Sequence, residues 1–136
     1  MVVKFNYEYE GKEYFGKVFR PIAKVSFFSP KTKTQTAIWM VVDTGADFTI
    51  LPKYVARDLG ISIENDCVMD KTRGVGGEQT IYLCKARITA KIGGLSRKVP
   101  LAFFDADNVP PLLGRLGFLE TFDVEFLRSR AVVFKE

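Results

Sequence analysis

A single acidic triplet, Asp43-Thr44-Gly45, stands directly after the most apolar run of the chain, residues 37–42. Burying a carboxylate is costly unless it is hydrogen-bonded or protonated, so an acid at the end of a buried strand favours a chemical role. Glycine two residues later lets the backbone turn sharply and bring its N–H groups close to the carboxylate. The triplet is therefore a candidate for carboxylate chemistry, although an ordinary turn can use the same residue types.

Several other kinds of catalytic site are excluded by the sequence. The chain has no histidine, so it cannot supply the imidazole base of a Ser-His-Asp or Cys-His nucleophile pair. Its two cysteines, Cys67 and Cys84, cannot form a four-thiolate zinc site, and we expect them to be buried free thiols or, less readily, a disulfide. No acidic cluster has the spacing of a hard-metal site. Carboxylate chemistry remains, and we expect neither a metal nor a cofactor.

The composition is that of a globular domain with a mildly basic surface. The chain of 136 residues is 47% hydrophobic and 26% charged, which predicts one domain over residues 1–136. The net charge of +4 comes from dispersed lysines and arginines, which indicates a solvated surface rather than a nucleic-acid site. No apolar run approaches the ~20 residues of a membrane span, and the N-terminus lacks the order of a signal peptide. We therefore expect a cytoplasmic protein that binds neither nucleic acid nor membrane.

Short runs rich in Val, Ile, Phe, Tyr and Thr, divided by turn residues, predict an all-β fold. We expect residues 2–10 and 14–20 to pair as a hairpin that turns at Gly11-Lys12. The strand at residues 34–42 ends in a continuous apolar run, which is typical of burial on both faces. Residues 61–72 are expected to hold a strand and a polar turn, with the strand at 67–71. Further strands are expected at residues 22–28, 79–89, 86–92, 97–104, 112–114, 123–127 and 131–134, with a short helix at 52–59 and helical turns at 115–121.

Three stretches of the chain occur in an order that resembles the retropepsin-like family of aspartic peptidases. Residues 41–49 have an apolar pair, then Asp-Thr-Gly-Ala-Asp, then a threonine. A glycine-rich stretch follows some thirty residues later, at residues 73–77, where the family has a flap. The motif Leu-Leu-Gly-Arg at residues 112–115 then precedes a predicted short helix at 116–122, as it does in the family.

The resemblance implies roles for the acidic loop and a need for two copies. Asp43 is expected to be the catalytic carboxylate, Thr44 to hydrogen-bond across to the other copy, and Gly45 to line the floor of the cleft. The reaction needs two carboxylates that share one proton, whereas this chain has one Asp-Thr-Gly triplet. A two-fold axis would supply the second acid, so we expect a homodimeric aspartic endopeptidase acting on peptides or unfolded proteins.

The resemblance also implies the surroundings of the cleft. The expected substrate-binding residues are Ala46, Asp47, Phe48, Gly74, Val75, Gly76 and Gly77, of which the last four lie in the expected flap, residues 73–77. The residues expected to support the loop from below are Leu112, Leu113, Gly114 and Arg115. Asp47 and Arg115 are expected to form a buried ion pair. Each chain would be one lobe, an all-β barrel of the acid-protease type that is closed or partly open.

Three departures from the family pattern carry their own expectations. Some aspartic peptidases have Ser or Thr where Ala46 stands, and that hydroxyl bonds to the charged carboxylate. Alanine cannot make this bond, so we expect optimal activity at mildly acidic pH. Phe48 replaces an acid of some viral members, which predicts a preference for apolar substrate side chains. The segment before Asp43 is long, so the dimer interface is expected to use residues 1–20 or 123–136.

Other functions remain open from the sequence. A retropepsin-like dimer can grip extended peptides or a protein partner without cleaving them, because a fold does not fix a function. The intact Asp43-Thr44-Gly45 triplet argues against such a silent binder, since a binder gains little from a buried charged pair. A metal-dependent enzyme and a nucleic-acid binder are weaker alternatives.

Overall fold

The computed structural model describes residues 1–74 and 76–136, and it is built almost wholly of β-strands. The strands are β1 (Val2–Asn6), β2 (Glu8–Glu13), β3 (Gly16–Arg20), β4 (Ile22–Phe28), β5 (Gln35–Val42), β6 (Thr49–Leu51), β7 (Cys67–Gly74), β8 (Gly77–Cys84), β9 (Ile88–Ile92), β10 (Leu95–Val99), β11 (Leu101–Phe104), β12 (Leu112–Leu113), β13 (Asp123–Leu127) and β14 (Ala131–Lys135). Two short α-helices, α1 (Tyr54–Asp58) and α2 (Ile63–Asp66), and a 3-10 turn (Leu119–Thr121) complete the secondary structure of the described part. The all-β prediction is confirmed.

The largest sheet has nine strands among the described residues, in the order β10-β9-β4-β5-β12-β6-β11-β8-β7. Its hydrogen bonds run from β10 to β7 without joining these two edges in the described part of the chain, so the sheet does not form the closed barrel that was one of the two expected forms. A second sheet has the order β1-β14-β13, and β2 pairs with β3 alone.

The short strand β12 lies at the centre of the large sheet and joins distant parts of the chain. It runs parallel to β5, with Leu112 opposite Val41 and Leu113 opposite Val42. On its other side Leu112 faces Ile50 of β6 in an antiparallel pair. The segment that follows β5 and the segment that follows β12 are therefore held side by side at one end of the sheet.

The core follows from alternation along the strands. In β4 the side chains of Ala23, Val25 and Phe27 are fully buried, while the residues between them are not. Large buried aromatics, Phe103 and Phe118 among them, fill the space between the sheets. Burying one such side chain contributes roughly 1.5–3 kcal/mol, so this apolar alternation is the main stabilisation of the fold.

The predicted hairpin over residues 2–10 and 14–20 is wrong in its pairing. β1 pairs instead with the C-terminal strand β14, with Val2 opposite Lys135 and Asn6 opposite Ala131. The hairpin that does form joins β2 to β3 and turns at Tyr14-Phe15. Gly11, read as the turn, lies at a bulge in β2 with a φ of 124°. A glycine within a strand often marks such a bulge, because it tolerates positive φ.

The expectation that the end of β5 is buried on both faces is also wrong. Met40 and Val42 are buried, but Trp39 between them is 52% exposed. Phe5 of β1 packs edge-on against the Trp39 ring, with centroids 5.8 Å apart, and covers only part of that face. β5 thus has one face in the core and one partly open face.

Local sequence signals account for the helices. The expected helix at residues 52–59 is present as α1. Within residues 61–72, the expected strand is present in β7, but α2 precedes it. There the Ser62 hydroxyl accepts a hydrogen bond from the backbone N–H of Asn65 at 3.2 Å. The Ser62 N–H in turn donates to the Asp66 carboxylate at 2.8 Å. This reciprocal pattern resembles a capping box, which signals the start of a helix. The prediction of a strand and a turn did not take this signal into account.

The two cysteines are free thiols in neighbouring strands. Cys67 and Cys84 lie opposite each other in β7 and β8, with 3.9 Å between their sulfur atoms. Burial raises the pKa of both thiols, so they remain protonated and poorly nucleophilic at neutral pH. Of the two expectations from the sequence, the free-thiol form is the one observed.

Candidate active site

Asp43 directly follows β5, and the parallel pairing of β5 with β12 fixes its position. Its backbone N–H donates to the Leu113 carbonyl at 3.1 Å, which extends the pairing of the two strands by one residue. Two residues earlier, the Val41 N–H donates to the Pro111 carbonyl at 2.9 Å. The acid therefore begins its loop from a backbone that is fixed on the β12 side, and the Asp43 side chain is half-buried.

The loop after Asp43 turns back on the carboxylate. The Gly45 N–H donates to Asp43 Oδ1 at 2.9 Å, and the Ala46 N–H donates to the Asp43 carbonyl at 3.2 Å. A Cβ atom on Gly45 would lie 3.3 Å from Asp43 Oδ1, closer than most side chains can sit. Glycine at this position therefore lets a backbone donor approach the carboxylate, as its place in the triplet predicts.

Gly114 is where the two supporting segments come closest. A Cβ atom there would lie 2.1 Å from the carbonyl oxygen of Phe48, so no larger residue fits without moving the backbone. Its N–H donates to the buried hydroxyl of Thr49 at 3.2 Å. The Arg115 N–H donates to the Ala46 carbonyl at 3.0 Å. We call residues 43–49 together with 112–116 the floor. Its two segments are joined by several backbone hydrogen bonds.

The ion pair expected between Asp47 and Arg115 is present, but its predicted burial is wrong for the single chain. The Arg115 guanidinium contacts the Asp47 carboxylate, and their side chains are 51% and 69% exposed. Backbone bonding continues beside the pair, since the Leu116 N–H donates to the Asp47 carbonyl at 2.8 Å. Exposed pairs of this kind contribute at most about 1 kcal/mol, so backbone hydrogen bonds hold the floor more than this ion pair does.

The glycine-rich stretch forms the tip of the β7–β8 hairpin, as predicted. Gly74 lies opposite Gly77, and Gly77 has a φ of 106°, which favours glycine. Behind the tip, Glu78 is paired with Lys71 at 3.3 Å and with Arg73 at 3.7 Å. A Cβ atom on Gly74 or Gly76 would meet nothing within 4 Å. We call residues 73–77 the flap; the expected site residue Val75 lies outside the described residues.

Floor and flap face one cavity of about 390 Å³. Its lining residues are Asp43, Gly45, Ala46, Asp47, Phe48, Ile50, Thr72, Arg73, Gly74, Gly76, Gly77, Gln79, Phe104 and Leu112. Eight of the residues assigned to the acidic loop and flap are thus brought together with Leu112. Four other expected residues that the structure describes do not line the cavity: Thr44 is exposed, Leu113 and Gly114 are buried beneath the loop, and Arg115 holds Asp47.

The cavity has lining residues that sequence reasoning missed. Ile50, Thr72, Gln79 and Phe104 were not assigned, and Arg73 was assigned only to the glycine-rich motif. Alternation along β8 could have found Gln79, because it lies two residues from Gly77 and so faces the same side. Phe104 had no local signal, since β11 reaches the site only by pairing with β8 and the distant β6.

Other site types were sought in the described part of the chain. Its His, Cys, Asp and Glu residues form no group of three or more that is able to hold a metal ion. None of its helices has the length and apolar character needed to cross a membrane.

Comparison with known families gives one match, to a model described as aspartyl protease, over residues 31–116. The matched span is well over half of the chain, and it contains β5, the acidic loop, the flap and the Leu-Leu-Gly-Arg motif at residues 112–115. No curated protein sequence matches the chain.

Proposed function

The chain belongs to the aspartyl protease family, which is related to the retropepsin-like proteases, and on this premise we propose that it is a homodimeric aspartic endopeptidase. Each copy supplies one Asp43, and the two carboxylates form a single catalytic pair on a two-fold axis. The observation that carries this proposal is the position of Asp43, half-buried in a loop that faces a cavity covered by a glycine hairpin.

The single triplet of each chain is the reason for a second copy. Two carboxylates in contact cannot both ionise easily, so the pair holds one proton between them. Thr44, next to the acid, is exposed in the single chain, and its hydroxyl is available to the loop of the other copy. The short, rigid loop holds the carboxylate in one orientation, which a proton-sharing pair requires.

The reaction uses the two protonation states together. The ionised Asp43 takes a proton from a water molecule as the water oxygen bonds to the carbonyl carbon of the substrate. The protonated Asp43 gives its proton to the carbonyl oxygen, which yields a neutral tetrahedral diol. The carboxyl that took the water proton then gives it to the amide nitrogen, while one diol hydroxyl passes its proton to the other carboxylate. The C–N bond breaks, amine and acid products leave, and the pair again holds one proton.

The cavity favours an extended peptide with apolar side chains. Ile50 and Phe104 are buried side chains at its wall, and Phe48 and Leu112 are partly exposed beside them. A peptide between floor and flap would place alternate side chains against these residues, as an added strand does. We therefore propose cleavage beside apolar residues in unfolded proteins or flexible segments.

The direct test is Asp43→Asn, which keeps the size of the side chain but removes the carboxylate. We expect casein cleavage at mildly acidic pH to fall by at least about a thousandfold, because the catalytic pair is lost. Asp58→Asn, which changes an exposed carboxylate on α1, is the matched control and should retain wild-type cleavage. Intact cleavage by the Asp43→Asn protein would refute the proposal.

A peptide-like statine inhibitor separates cleavage from mere binding. Its hydroxyl takes the place of the diol, so we expect it to compete with casein and raise the Tm of the wild-type protein. Wild-type protein that binds apolar peptides tightly but leaves them uncut over days would instead be a silent binder.

A further inference from the structure

The β2–β3 hairpin carries the most exposed aromatic residues of the described chain. Tyr14 and Phe15 at its turn are 95% and 99% exposed, and their rings contact each other with centroids 5.2 Å apart. The two strands form a sheet of their own, joined to neither of the larger sheets within the described residues. We call residues 8–20 the arm.

Such exposure is unfavourable for a free surface. Aromatic side chains bury 150–250 Å² each when they enter a core or an interface, and they are enriched at the centres of protein interfaces. A contiguous exposed apolar pair at a projecting turn therefore indicates a surface that is covered by something else.

The base of the arm is anchored beside the acidic loop. Pro21, the residue that follows the arm, accepts a hydrogen bond from the N–H of Val42 at 2.9 Å, one residue before Asp43. β4 then starts with Ile22 opposite Val41, so the arm leaves the large sheet at the end where Asp43 lies.

Two further contacts fix the base and leave the turn free. The Tyr7 N–H donates to the Arg130 carbonyl at 2.9 Å, and the Arg130 guanidinium stacks 3.7 Å from the centre of the Phe19 ring. A β-strand rises about 3.3 Å per residue, so strands of five to six residues carry the turn up to about 17–20 Å from this base.

We propose that the arm docks on a second copy of the chain, with Tyr14 and Phe15 packed against the partner beside its floor. This inference rests on the proposed homodimer, in which two Asp43 loops meet. Two short loops alone bury far less than the ~800 Å² per partner of a stable interface. A pair of arms that start beside those loops adds the missing apolar area twice, once for each copy.

The floor offers a surface for the arm. Leu116 is 47% exposed although it lies in the floor, where its N–H is bonded to the Asp47 carbonyl. The loops of a symmetric dimer face each other, so the partner's Leu116 lies close to the axis that the arm would cross. Leu116 is therefore the apolar contact expected for the arm, and the Asp47–Arg115 ion pair beside it would become buried.

The first test is the double variant Tyr14→Ser/Phe15→Ser, studied by sedimentation equilibrium. We expect the dimer dissociation constant to rise at least about tenfold, because truncating aromatic anchors at an interface has effects of this size. The circular dichroism spectrum should not change, since both side chains are almost fully exposed within the chain. Tyr54→Ser on α1, where the tyrosine is 53% exposed, is the matched control and should dimerise normally.

The outcomes separate this inference from the proposed function. Wild-type dimerisation by the double variant, with normal casein cleavage, would overturn the arm and leave the endopeptidase intact. Weakened dimerisation, with cleavage restored at high protein concentration, supports both. A wild-type protein that cleaves casein as a monomer would overturn the arm and the shared catalytic pair together.

A second measurement locates the arm directly. A photoreactive benzoylphenylalanine in place of Phe15 should yield a cross-linked species of two chains, attached near Leu116 of the other chain. Mixing isotopically light and heavy protein identifies cross-links between copies. Cross-links only within one chain would overturn the proposal.

Discussion

The floor and the flap line the same cavity, yet they are built in opposite ways. The floor is two chain segments joined by backbone hydrogen bonds, and a Cβ atom on Gly114 would lie only 2.1 Å from the Phe48 carbonyl oxygen. In the flap, Gly74 and Gly76 have open space around them. The comparison indicates that the floor needs glycine for close approach of its two segments, whereas Gly74 and Gly76 leave room for a larger side chain, so equal substitutions should have unequal effects.

The largest expected effect is that of Gly114→Ala. The new methyl group would overlap the backbone of Phe48, so the floor must separate, at a cost of about 3 kcal/mol or more in the free energy of unfolding. Urea denaturation measures this loss. Gly74→Ala is the matched change in the flap and should alter stability by less than about 0.5 kcal/mol. Equal losses in the two variants would contradict the comparison.

A smaller loss is expected for Thr49→Val. Thr49 is fully buried, and its hydroxyl accepts the N–H of Gly114. Valine keeps the shape but leaves that N–H without an acceptor, which costs about 2 kcal/mol. Thermal unfolding should show a clear drop in Tm. Thr72→Val, at a half-buried position in β7, should leave the Tm within a few degrees of the wild-type value. A stable Thr49→Val protein would mean that this bond does not hold the floor.

Features of the fold and site that depend on residues close together in the sequence were predicted correctly, whereas those that depend on residues far apart were not. The floor was predicted because its two halves are each a compact motif, at residues 41–49 and 112–115. β4 was placed correctly because Ile22–Phe28 alternates and ends at a Ser-Pro turn. In both cases the signal lies within a few neighbouring residues.

The failures concern pairing and surroundings that no local pattern encodes. The pairing partner of β1 is β14, more than a hundred residues away in the sequence. From the sequence alone, the adjacent segment at residues 14–20 was an equally plausible partner. The exposure of Trp39 depends on how far β1 covers β5. Phe104 lies in the cavity wall only because the strand order of the large sheet places β11 beside β8. Residue types gave the chemistry of the site, but the strand order of the sheet decided which other residues line it.

Ala46→Ser should change the pH profile rather than the stability. A hydroxyl beside the catalytic pair would bond to its charged form and favour ionisation. We expect the optimum for casein cleavage to move about half a pH unit toward acid. Ala86→Ser, in an exposed loop away from the cavity, should leave the profile unchanged. An unchanged or raised pH optimum would contradict this expectation.

The smallest expected effect is on the ion pair at the edge of the floor. Both side chains are more than half exposed, so Asp47→Asn or Arg115→Gln should cost less than about 1 kcal/mol in unfolding experiments on dilute protein. If the arm buries this ion pair in the dimer, the same variants should weaken the free energy of dimerisation by more than about 1 kcal/mol. An equal effect on dilute and concentrated protein would place the pair outside the interface.

The central claim is that one active site needs two copies of Asp43, and mixed dimers test it directly. Wild-type and Asp43→Asn chains are mixed in varied proportion at constant total concentration, allowed to exchange, and assayed with casein. Random pairing predicts that activity follows the square of the wild-type fraction, so an equal mixture retains about one quarter of full activity. Activity that falls in simple proportion, to about one half, would show that each chain works alone and would contradict the account.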